Sequence, residues 1–219
     1  MHRAGLGALL DNPQGNPSLG ALLDTPENRE AFVKRIEAYA SQFRAVEEYA
    51  HLWAIVMIVT AAEAYLQDAL AFNALHDPSL MKDSALTATY DDIVEASTTA
   101  KLASVMRSRW ARAFVDRGGP PLWILRLSRM GAGPYPDAMP EQLDLIWGIR
   151  HVVVHSAGVA GPDFCRLNPD HPSEEGHPLS VDFDQLHEFG DQVRAFVRIT
   201  DQYCAGRNRA KRPTPGSGA

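Results

Sequence analysis

Apolar residues recur every three or four positions at Phe32, Ile36, Tyr39, Phe43 and Val46, and a denser apolar run follows from Leu52 to Leu70. That period matches one face of an α-helix and excludes the strict alternation of a half-buried strand. The start is well marked. Thr25 can cap the free amides, Pro26 suits the first helical position, and Glu27 favours the positive end of the dipole. The pattern fits one long helix or two in succession, with nothing to fix a division. Leu52, Val56, Val59, Leu66 and Leu70 form one stripe, and Glu63 falls inside it, where a carboxylate needs a partner.

Helical punctuation continues down the chain. Asp77-Pro78 and Lys82-Asp83-Ser84 interrupt the pattern, which resumes from Tyr90 to Val115 as one or two helices carrying Lys101, Arg107, Arg109 and Arg112. Those cations read first as a solvated face, and second as contacts to an RNA backbone. A short apolar piece, Leu122 to Leu127, lies between turn-rich connections, and another helix begins near Glu141. The Gly- and Pro-rich stretch from Gly158 to Pro178 reads as a long loop. It has room for a short β-hairpin with strands at Phe164-Cys165-Arg166 and Leu179-Ser180-Val181. Asp182 or Asp184 can cap a last helix running through Tyr203.

The ends differ in character. Leu6-Gly7-Ala8-Leu9-Leu10-Asp11 recurs as Leu19-Gly20-Ala21-Leu22-Leu23-Asp24, so residues 1–25 read as an arm with a short repeat, too brief for a solenoid, covering the core edge or docking a partner. Residues 26–204 read as one helical domain and 205–219 as a basic, disordered tail. The 219 residues, 45% hydrophobic and 22% charged, suit a single core. A net charge of −6 argues against broad electrostatic binding of nucleic acid and leaves room only for a local basic pocket. Cys165 and Cys204 are too few for a disulfide framework. The longest uncharged apolar run, Leu52 to Ala62, falls short of the ~20 residues that span a bilayer, so no membrane is expected and the cytoplasm is the expected compartment.

The segment Arg150-His151-Val152-Val153-Val154-His155 sets an arginine and two histidines in an otherwise apolar helix end. At about 100° per residue, Leu143, Ile146, Trp147 and Val154 define an expected buried stripe, with Arg150 roughly 20° from its centre. A buried arginine needs a counter-charge, and Glu63 is the candidate. His151 and His155 share a face, whereas Arg150 and His155 differ by about 140°.

Arginine, a polar residue, three more positions and then histidine resembles the motif of the HEPN ribonucleases. The likeness spans roughly residues 26–204 as architecture, an all-α HEPN-like helical bundle, and the short motif takes its value from that helical context. The resemblance implies a metal-independent endoribonuclease that needs no cofactor. His155 would serve as general base or acid and Arg150 would stabilise the transition-state charge, giving a 2′,3′-cyclic phosphate. His151 would orient the phosphate or the other histidine, and Glu63 would hold Arg150. It also implies a homodimer with a composite site, RNA as substrate, and a defence or toxin–antitoxin setting with an antitoxin or effector partner. The alternative is a non-catalytic interaction or regulatory protein of the same type.

Other chemistries find less support. His151 and His155 have the spacing of helical zinc ligands, with Cys165, Asp170, His171 and His177 following, yet there is no His-Glu-x-x-His or Cys-x-x-Cys arrangement, and no metal is expected. Neither a phosphate-loop lysine motif nor a nucleophile elbow is present.

Overall fold

The computed structural model describes residues 25–82 and 86–210. The N-terminal repeat and residues 211–219 lie outside that range. The chain divides into two compact units, Met1–Tyr49 and Ala50–Ala219, with the division falling inside the first helix.

The long apolar pattern folds as one continuous helix, α1 (Pro26–His76). Thr25 starts it as expected, its hydroxyl accepting from the Asn28 N–H at 3.2 Å. A 3₁₀ turn (Pro78–Met81) follows, capped by the Asp77 carboxylate. Then come α2 (Tyr90–Glu95), α3 (Thr99–Asp116), α4 (Pro120–Arg129), α5 (Met139–His155), α6 (Pro162–Leu167) and α7 (Phe183–Ala210). The architecture is all-α.

Within the second unit one core joins α1, α3, α4, α5 and α7. Ile55, Val59, Leu66, Leu127, Leu143, Ile146, Ile149 and Phe196 all lie in it, fully or almost fully buried. α5 packs against both α4 and α7. Polar bonds fasten α7 at its edges: the Tyr203 hydroxyl donates to the Met130 carbonyl at 2.8 Å, and Tyr65 donates to Asp201 at 3.0 Å.

Three expectations change. Phe164-Cys165-Arg166 is part of α6 rather than a strand, because Pro162 sets up a first helical turn after Gly161 and Phe164 turns into the core. No strand forms among the described residues; the loop is instead drawn together by a single bridge, Val159 to Pro178. The last helix runs beyond Tyr203 to Ala210, taking in the start of the expected tail; of the two caps expected for it, Asp182 is the one that accepts from the Gln185 N–H, at 2.8 Å. α1 also contains an 18-residue window of mean hydropathy 1.5, of which 33% is buried, so by length and composition it matches a membrane span. Counting only uncharged residues stops that window at Glu63.

Candidate functional site

α5 carries the motif at its C-terminal end. Its buried residues are Leu143, Ile146, Ile149, Val152 and Val153, together with Met139. On a helical wheel they centre about 280° from Leu143, some 80° away from the stripe expected from sequence. Val154 is 44% exposed, which corrects its assignment to the core. Arg150 accordingly sits on the shoulder of the buried arc and is half-buried, while His151 and His155 occupy the opposite, exposed face.

Arg150 and Glu63 are not paired. The Glu63 carboxylate instead accepts a hydrogen bond from Trp147 Nε1 at 2.8 Å, and the Trp147 ring meets Trp123 edge-on with centroids 5.3 Å apart. The rotation moves Trp147 off the core centre to where its indole N–H reaches α1 and engages Glu63; Arg150 lies on the same side of the buried arc, about 60° from Trp147 on the wheel. Glu63 therefore positions Trp147. No side-chain hydrogen bond or ion pair joins Arg150 to another described residue, and its Nε is enclosed without a partner.

The two histidines do converge. Their rings lie 4.5 Å apart between centroids at 44°, one turn from each other on the exposed face. α5 ends directly after them. The Ser156 N–H closes on the Val152 carbonyl at 2.9 Å, then Ala157 and Gly158 take left-handed backbone with φ of +51° and +80°. Only glycine adopts such angles without strain, so Gly158 fixes where the chain turns away from His155.

The loop after the motif folds back onto α5, which sequence reasoning did not foresee. A Cβ at Gly148 would stand at ordinary contact distance, 3.5 Å from the Phe164 ring and 3.8 Å from Asn168 Nδ2, so α6 lies against α5 two residues before Arg150. A glycine inside an otherwise strong helix was the available signal. His171 stacks edge-on against Phe164 at 5.3 Å and accepts from the Ser173 N–H through Nδ1 at 3.3 Å. Burial holds its imidazole below the ordinary histidine range. Among the described residues no three histidine, cysteine, aspartate or glutamate side chains gather as a metal site.

The cations of α3 divide. Arg109 pairs with the Asp92 carboxylate, which also accepts the Thr89 N–H and hydroxyl, both at 2.7 Å. That cluster closes the N-terminus of α2 against α3 and gives Arg109 a structural partner. The Thr89 backbone and hydroxyl first, then the Arg109 guanidinium, hold the Asp92 carboxyl below the ordinary aspartate range. Lys101 and Arg112 are exposed, and Lys101 Nζ reaches the Glu95 carbonyl at 3.4 Å.

No known family model, curated protein or solved structure matches this chain.

Proposed function

We propose that this protein is a metal-independent endoribonuclease whose reacting groups are Arg150 and His155, working in the cytoplasm as a homodimer. The observation that carries the reading is the contrast at the end of α5. A half-buried arginine with no hydrogen-bond or ion-pair partner among the described residues stands one residue from an exposed, paired imidazole face. An arginine that engages no described residue is suited to a phosphate, and solvent-facing imidazoles are suited to proton transfer.

In the proposed reaction the ribose 2′-oxygen attacks the adjacent phosphorus and passes its proton to one imidazole. The bond from phosphorus to the 5′-oxygen breaks, and a second imidazole protonates that oxygen. Arg150 neutralises the charge that builds on the non-bridging oxygens. Because Arg150 and the His151–His155 pair point to different sides of one helix, two copies would supply the full set, with His151 orienting the phosphate. An antitoxin or effector partner belongs to the same reading. The alternative, a non-catalytic interaction protein, draws on the net charge of −6, which offers little general affinity for RNA.

The test is cleavage of a mixed RNA pool in EDTA by the native chain, Arg150→Ala and His155→Ala, with product ends determined. Cyclic-phosphate ends from the native chain, reduced about 100-fold or more in each variant, are expected. Absence of cleavage across a broad panel by folded protein moves the assignment to the interaction protein.

A further inference from the structure

The solvent side of α1 carries a second stripe with a different period. Tyr39, Phe43, Val46, Ala50, Trp53, Met57, Thr60 and Ala64 follow alternating steps of four and three, a strict seven-residue repeat, and all are exposed. Tyr39 is 62%, Phe43 73%, Val46 68%, Trp53 46% and Met57 66% exposed. A helix that merely covers a core has one such stripe, and α1 already has it in Leu52, Ile55, Val59 and Leu66. A sustained repeat of 3.5 on the outer side is the pattern that packs against another helix through knobs and holes.

We propose that α1 pairs with α1 of a second copy in an antiparallel coiled coil whose two-fold axis passes between His51 and Leu52. Antiparallel coils set one class of seam position opposite the other. Placing the axis there sets Tyr39 opposite Ala64, Phe43 opposite Thr60, Val46 opposite Met57, and Ala50 opposite Trp53. In each layer the bulkier side chain faces a smaller one, so four layers interdigitate without a void or a clash. A parallel arrangement would instead stack Tyr39 on Tyr39, Phe43 on Phe43 and Trp53 on Trp53, leaving Ala50 and Ala64 facing gaps. The exposed parts of these side chains amount to on the order of 600 Å² per copy, which over two copies clears the ~1,000 Å² expected of a specific interface. The pairing rests on the nuclease reading only for its homodimer, to which it gives a surface, and the residues that carry it do not include Arg150 or His155.

Sedimentation of the full chain measures the mass, and disulfide trapping measures the register. A dimer is expected that Phe43→Glu and, separately, Met57→Glu weaken about 100-fold or more with helical content unchanged, since each variant buries a charge in an apolar layer. In a background with Cys165→Ser and Cys204→Ser, mixed Val46→Cys and Met57→Cys chains should cross-link to each other, while neither cross-links to itself. A monomer, a dimer indifferent to both glutamates, or self-linking of Val46→Cys overturns the proposal. So does a monomer that binds neutral phospholipid vesicles through the stripe, or one that dimerises only after deletion of residues 1–24. A dimer indifferent to both glutamates that still cleaves RNA would leave the nuclease reading standing.

Discussion

Replacing Trp147 with phenylalanine tests the rotation of α5 directly. The change keeps an aromatic ring against Trp123 and removes the N–H that reaches Glu63 at 2.8 Å. Hydrogen bonds to charged acceptors contribute about 1.5–3 kcal/mol, and the partial exposure of this pair argues for the lower end. The smaller ring adds roughly 0.5 kcal/mol of lost apolar burial. Trp147→Phe should therefore cost about 2 kcal/mol, which for a unit of this size lowers the melting temperature by about 4–8 °C. Thermal unfolding followed by circular dichroism reads the effect. A double-mutant cycle with Glu63→Ala should return a coupling of about 1.5 kcal/mol, whereas Arg150→Met and Glu63→Ala should add within about 0.5 kcal/mol. A Trp147→Phe cost below about 0.5 kcal/mol, or a stronger coupling of Glu63 to Arg150 than to Trp147, would refute the pairing described above.

Two further outcomes concern the ends of helices. The unfolded Asp92 carboxyl binds its proton near the ordinary value of about 3.9 and the folded one only at lower pH, so its stabilising effect is complete above that range and disappears as pH falls through the depressed value. Asp92→Asn should abolish that part of the acid dependence, read as amide exchange at the start of α2, and an unchanged acid profile would remove the assigned role. Gly158→Ala should destabilise the chain by about 1–2 kcal/mol, because alanine at a φ of +80° is strained. Thermal unfolding indistinguishable from the native chain would show that the turn after His155 can relax.

The helices were legible where local chemistry decides them. Thr25-Pro26-Glu27 starts α1 as its residues require, and the apolar period carries through to Leu70 without a break. The face of α5 was not legible, and the reason is specific. Ile149, Val152, Val153 and Val154 are all strongly apolar, so the periodicity supports two stripes about 80° apart, and only contact with α4 and α7 selects between them. The Glu63 partner failed with it: a carboxylate in an apolar stripe shows that a donor must be near, but an indole N–H serves as well as a guanidinium. The Thr89 to Asp92 cap was readable as a spacing signature, yet the Arg109 that clamps it comes from a different helix and leaves no local trace.

The neck of the loop after α5 has a consequence for how length is tolerated there. Leu179 N–H bonds the Gly158 carbonyl at 2.7 Å, Ala160 N–H the His177 carbonyl at 2.9 Å, and Gly176 N–H the Ala160 carbonyl at 2.8 Å, so the two arms of the neck are stitched together. The chain beyond is a closed ring, and the entropy lost in closing a ring grows only logarithmically with its size. Doubling the loop would add about 0.6 kcal/mol. Its tip, with Pro172, Glu174 and Glu175 exposed, is therefore a place where a tag or a whole guest domain can be spliced in while α6, the neck and the motif helix keep their positions.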